Sequence, residues 1–232
     1  MAKHIGIVAM SYEGAALCYQ TVCAEAASLM GEHLHPEITL HSFPLGQYMK
    51  FVSKLDWEGT AQLLLQSVNK VERAGANFAI CPANTAHEAF DLMTPHSPIP
   101  LLHIADVVAD AASRQGCSKL GILGTKFLME GKVYSQILSQ RGIGIVVPTL
   151  EQREHLNTLI LEELVKGILK DSTRQYFLKL VADLTEKGCD AVVMACTEIP
   201  LILKPDDVET PLLDSTRLLA AAALKEALRS EA

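Results

Sequence analysis

No apolar run in the 232 residues approaches the roughly 20 that a membrane-spanning helix needs, so a membrane partner is not expected. Positive charge is not in excess. A formal net charge of −7 gives no electrostatic reason for a nucleic-acid partner, and no basic–aromatic stripe supplies one. The six cysteines, Cys18, Cys23, Cys81, Cys117, Cys189 and Cys196, include no C-x-x-C pair, which argues against structural zinc. They sit mostly in apolar surroundings, as reduced thiols of the cytoplasm do. No G-x-G-x-x-G follows the first strand-like run, where the chain reads Ala9-Met10-Ser11-Tyr12-Glu13-Gly14, so no dinucleotide is implied. No lysine stands in a context that indicates pyridoxal phosphate. The opening MAKHIGIVAM leads directly into a strand-like run.

What is present is the composition of a soluble globular protein, 49% hydrophobic and 20% charged, long enough for about one or two domains. Strand and helix patterns alternate. Residues 4–10 read as a strand, 15–30 as a helix, 37–41 as a strand, and 57–73 as an amphipathic helix closed by Gly75. Between the second strand and that helix the chain reads as a loop through Pro44 and Gly46. Residues 78–81 form the next strand, Prolines 95, 98 and 100 punctuate the chain, and 101–104 is a further apolar run.

The pattern then restarts. Lys119-Leu120-Gly121-Ile122-Leu123-Gly124-Thr125 repeats the first strand, with glycine third and a loop of small residues after it. Residues 133–140 read as a helix, 143–147 as a strand, 151–169 and 173–187 as two helices, the second closed by Gly188. Almost the same number of residues separates Gly6 from Ala83 as separates Gly121 from Cys196. A near-equal period with matching local pattern is the mark of duplication. The expected fold is α/β: two similar doubly wound parallel-sheet domains, residues 1–100 plus 207–232 and residues 101–206, related by a pseudo-two-fold with the site in the cleft between them.

Gly188 to Pro200 is the stretch that carries chemistry. Ala191-Val192-Val193-Met194 is a buried strand, and small and polar residues crowd its end at Ala195-Cys196-Thr197-Glu198. Ligands of open α/β sheets sit at such carboxyl ends. Cys196 reads either as a small hydrophobe closing a strand or as a reactive thiol surrounded by backbone N–H groups, whose pKa is then expected to fall.

The stretches Asn84-Thr85-Ala86-His87, Leu123-Gly124-Thr125 and Cys196-Thr197-Glu198-Ile199 resemble those of the cofactor-independent aspartate/glutamate racemase family, with its C-N-T-A-H and G-C-T-E motifs. The resemblance covers nearly the whole chain. It implies two related α/β domains, two cysteines facing each other across a cleft, no cofactor, and a small amino acid or dicarboxylic acid as substrate. It makes Cys196 a catalytic thiol. It also places the family's first cysteine where this chain has Ala83, and alanine neither takes nor returns a proton. Cys81 lies two residues upstream, set back by ~6.6 Å on a strand rising ~3.3 Å per residue. Three readings of Ala83 stand open: an engineered replacement, a natural branch with one-thiol lyase or isomerase chemistry, and a silent chain that still binds a small acid.

Ser11, Asn84, Thr85, Thr125 and Thr197 are short donors at strand ends, suited to an α-carboxylate and equally to helix capping. Met10 reads as a cleft wall or as core. A second substrate carboxylate calls for a cation, and Lys54, Lys126 and Lys166 are the candidates, each also readable as a solvated surface lysine. Lys166 stands in a segment resembling one that carries a functional lysine in the family. Where the family often has an arginine, around residues 50–54, only lysines stand here. His87 is expected to pack and hydrogen-bond locally, and His103 to be a satisfied core histidine. The Ala/Leu-rich run at 218–228, with the family's habit, points to a homodimer; the same run is also suited to packing on its own domain.

Overall fold

The computed structural model describes residues 2–229. The chain divides into two compact units, one running to Val107 and resuming at Thr216, the other from Val108 to Ser215. The first contains β1 (Ile5–Ala9), β2 (Ile38–Ser42), β3 (Phe78–Ile80) and β4 (Leu101–Leu102), in the order β2-β1-β3-β4. The second contains β5 (Lys119–Leu123), β6 (Gly144–Val146), β7 (Ala191–Met194) and β8 (Leu212–Asp214), in the order β6-β5-β7-β8. Every pairing is parallel and the two orders are the same, as the internal repeat predicts. Parallel neighbours need crossover connections, and helices supply them.

The unit boundaries lie later than the sequence pattern places them. Leu101 pairs with Ala79 and Leu102 with Ile80, so the run at 101–104 completes the first sheet instead of opening the second. Leu212–Asp214 pairs with β7 through Val192 to Met194, which keeps the chain in the second unit well past residue 206.

Each middle strand is buried along its length because helices cover both of its faces. In the first unit Ile5, Ile7, Phe78 and Ile80 pack against Cys18 and Val22 of the helix Tyr12–Met30 and against Leu219, Ala220 and Ala223 of the helix Ser215–Ala227. That last helix therefore packs Leu219, Ala220 and Ala223 on its own core, one of the two uses open to its sequence. The helix Trp57–Arg73 packs so close to β1 that a Cβ at Gly6 would stand 2.7 Å from Val71 Cγ2. Gly121 is the counterpart on β5, where a Cβ would stand 2.9 Å from Leu184 Cδ1 in the helix Asp171–Glu186. Gly121→Ala is expected to cost about 1–3 kcal/mol of overpacking, measured by chemical denaturation of the second unit's transition.

The helices before β3 and β7 end at Gly75 (φ 103°) and Gly188 (φ 80°), left-handed positions that favour glycine, as read from the sequence. Two other expectations change. The loop through Pro44 and Gly46 contains a helix, Leu45–Val52. The single helix expected over 151–169 stops at Glu162, and a 3₁₀ turn, Leu164–Lys166, follows and closes at Gly167. Glu163 breaks the run because its carboxylate is held by Thr173 and Lys170 beyond the turn. Among the described residues no helix is long and apolar enough to cross a membrane.

Candidate functional site

In both sheets the chain crosses from the middle strand to one side and then returns to the other. That reversal is a topological switch point, and open α/β sheets take ligands at the carboxyl ends of the strands flanking it. In the first unit β1 and β3 flank it, and their ends carry Met10-Ser11 and Ala83-Asn84-Thr85. In the second β5 and β7 do, and their ends carry Gly124-Thr125-Lys126 and Cys196-Thr197-Glu198. Every site residue read from the sequence stands on one of these four loops, except Lys166 in its 3₁₀ turn and Lys54 just after the helix Leu45–Val52.

Two of the short hydroxyls cap helices, one of the two uses open to them. Ser11 Oγ accepts from the Gly14 N–H at 3.4 Å, and Thr125 Oγ1 accepts from the Leu128 N–H at 3.4 Å. Met10, Asn84 and Thr197 are buried, and Thr85 is half-buried. Ala83 is extended (φ −116°, ψ 108°), and Asn84 opens a 3₁₀ helix, Asn84–Ala89. The two loops of the second unit touch: a Cβ at Gly124 would stand 2.9 Å from the Ala195 carbonyl oxygen. Lys126 donates its backbone N–H to Asn157 Oδ1 at 3.0 Å and pairs its Nζ with Glu154 at 3.1 Å. Lys166 pairs with Glu162, and Lys54 is exposed.

Cys196 is the candidate thiol beyond the end of β7. Its thiol donates to Glu198 Oε2 at 2.9 Å, with both side chains buried. Burial disfavours the thiolate first, and the neighbouring carboxylate adds repulsion and stabilises the protonated thiol; the backbone N–H groups of Glu198 and Thr197 pull the other way and lose. The Cys196 thiol therefore stands well above its ordinary pKa, the reverse of the lowered value expected from a strand-end position. Backbone N–H groups alone were legible in the sequence, whereas the depth of burial was not.

A raised value does not disqualify the thiol as a base. Carbon acids are weak, and a desolvated thiolate of high pKa is a stronger proton acceptor once formed. Glu198 Oε2, at 2.9 Å, is within hydrogen-bond reach of the thiol proton. Glu198 stands two residues from Cys196 within the Cys-Thr-Glu motif, and that spacing is the sequence signal for it. Cys81, by contrast, is pushed up to about 12 by burial and lines a cavity of about 10 Å³ with Val8, Leu64, Val68 and Phe90 inside the first unit.

Alkylation tests this electrostatic arrangement. Cys196 is expected to react slowly with iodoacetamide near pH 7 and faster as pH rises toward its displaced pKa. Glu198→Gln removes the carboxylate's charge, lowers that pKa and speeds labelling. Peptide mass spectrometry reads both rates, and fast labelling of the unmutated thiol at pH 7 would contradict the placement.

The sequence signature of the Asp/Glu/Hydantoin racemase family spans residues 7–223. Among curated proteins, the broad specificity amino-acid racemase RacX of Bacillus subtilis (strain 168) is 23% identical over 189 residues, covering 80% of this chain and 79% of that protein. Among solved structures, an aspartate racemase homologue from Pyrococcus horikoshii OT3 is 30% identical with a TM-score of 0.83, covering 99% of this chain and 100% of that one. A Yersinia pestis protein described as a candidate Asp/Glu racemase is 31% identical with a TM-score of 0.89, covering 98% and 100%. The chain belongs to the Asp/Glu/Hydantoin racemase family and is, by that membership, an isomerase of the amino-acid racemase kind.

Proposed function

We propose that the protein moves the α-proton of a free acidic amino acid, aspartate or glutamate, without a cofactor, with Cys196 as the proton-carrying thiol. The observation that carries this reading is the buried Cys196–Glu198 contact at 2.9 Å, at the switch-point end of β7 in a chain of this family. Glu198 accepts the thiol proton, and the thiolate takes the proton from the α-carbon. Ser11, Asn84, Thr85, Thr125 and Thr197 hold the α-carboxylate, Met10 walls the site, and Lys126 or Lys166 meets the second carboxylate. The substrate is a small acid in the cytoplasm, with neither nucleic acid nor membrane as partner, and the assembly is a homodimer.

Ala83 favours a second reading. The family resemblance puts the first thiol of a two-base mechanism at that position, and a methyl group returns no proton. The chain then exchanges the α-hydrogen from one face only, as a one-thiol enzyme does. Incubating each enantiomer of aspartate and glutamate in deuterium oxide separates the two. Exchange with inversion supports the racemase and exchange with retention supports the one-thiol reading. Binding without exchange removes both.

A further inference from the structure

The first unit holds two imidazoles that this mechanism leaves unused. His87, 5% exposed, lies in the 3₁₀ turn that begins just after Ala83. Its Nδ1 is 3.0 Å from the Ala83 carbonyl oxygen, and its Nε2 is 3.2 Å from the backbone nitrogen of Ile104. A backbone N–H only donates, so Nε2 must be the bare nitrogen. The ring proton then sits on Nδ1 and is donated to the Ala83 carbonyl. Only one tautomer of the neutral ring satisfies both contacts.

His103 does the neighbouring job. Its Nδ1 accepts from the Ala105 N–H at 3.1 Å. Ile104 and Ala105 open the helix Ile104–Arg114, so two imidazoles cap the same helix start. The rings meet edge to face at 4.7 Å; Phe90 stacks on His87 at 5.4 Å and meets His103 edge-on at 4.4 Å. A positive charge on either ring would lose its acceptor nitrogen and stand at the positive end of the helix dipole. The ionisable neighbours of His87 are His103, Cys81 in the shared apolar cavity, and Glu88 next in the chain. Burial, then the His103 ring, pushes His87 down to about 3, and burial pushes His103 down to about 4.

The Ala83 carbonyl oxygen accepts from the Ala86 N–H at 3.2 Å inside the turn, and the His87 ring is its second partner, reaching it from outside the backbone. β3 is three residues long and ends at Ile80, so the backbone at 81–83 has no strand ladder to hold it. We infer that His87 is a positioning residue: as a neutral ring it ties the Ala83 carbonyl to the first turn of the helix after β4, and so sets where residue 83 and the Asn84 backbone stand. The inference rests on the reading of that loop as part of the site.

Three measurements test it. Long-range nitrogen–proton NMR on the intact protein should show His87 protonated on Nδ1 and unchanged between pH 5.5 and 8; an Nε2-protonated ring, or a titration near 6.5, overturns the tether. The second compares His87→Phe, which keeps the stack on Phe90, with His103→Phe, which loses a cap without touching Ala83. His87→Phe should lower kcat for α-hydrogen exchange about 10²-fold, as a displaced site does, with KM within about threefold. His103→Phe should leave both within about threefold. Equal losses in the two variants make His87 merely structural and overturn the inference. Both rings have folded values below the ordinary ~6.5, so their stability is present above that pH and is lost as pH falls toward 4 and then 3. His87→Phe should flatten that acid loss, and an unaltered slope would count against the neutral bracket. If the unmutated chain exchanges no acidic amino acid, the functional reading falls, and the tautomer alone still decides the tether.

Discussion

Cys196→Ala should slow α-hydrogen exchange of aspartate or glutamate on the order of 10²–10⁴-fold, the range that one positioned proton-transfer group supplies. The loss should reside in kcat. The donors proposed to hold the α-carboxylate, Ser11, Asn84, Thr85, Thr125 and Thr197, are untouched, so substrate affinity should change little. Glu198→Gln separates the two members of the pair. It speeds alkylation of the thiol, because the charge that raises its pKa is gone. It slows exchange all the same, because no carboxylate is left to receive the thiol proton. A variant in which both rates rise together would show that Glu198 only restrains the thiol and takes no part in proton transfer. Exchange that survives Cys196→Ala would move the chemistry away from the end of β7 altogether.

Ala83→Cys should create or raise racemisation of aspartate or glutamate by a comparable 10²–10⁴-fold, read from the optical rotation of the product. On the proposed reading, the family resemblance puts the first thiol of a two-base mechanism at position 83, and alanine and cysteine differ by one sulfur. Affinity for the acid should therefore hardly change. Combining Ala83→Cys with Cys196→Ala should abolish the gain instead of leaving half of it, since groups acting as a unit do not add. His87 bears on this result, because the carbonyl it holds belongs to the residue being replaced. Should Ala83→Cys racemise neither amino acid while the unmutated chain turns over another acid, the one-thiol reading replaces the racemase.

Much of this protein is set by local pattern. The alternation of β-branched runs with helical spacing, and its restart at Lys119, were enough to derive two parallel α/β halves of one topology. Gly75 and Gly188 marked helix ends because a left-handed residue is a local requirement. Ser11 and Thr125 are legible as candidate caps, beside their reading as ligand donors, because an N-cap reaches only three residues along its own chain. Cys196 was singled out by its place at a strand end, and Glu198 travelled with it inside one motif.

The tertiary structure decided the rest, where the cause lies far away in sequence. β4 and β8 are two and three residues long, too short to show a period, and only pairing with β3 and β7 gives them to their sheets and sets the unit boundaries. The Leu/Ala run near the carboxyl end gains its meaning from β1 and β3, against which it packs. The direction of the Cys196 pKa turns on burial by the surrounding chain and on a carboxylate at 2.9 Å, and neither quantity is a property of the motif. His87 likewise looked like a locally bonded turn residue until Ile104, seventeen positions on, proved to hold its other nitrogen. Spacing along the chain determines secondary structure and face, whereas ionisation and position depend on what the fold brings within a few ångströms.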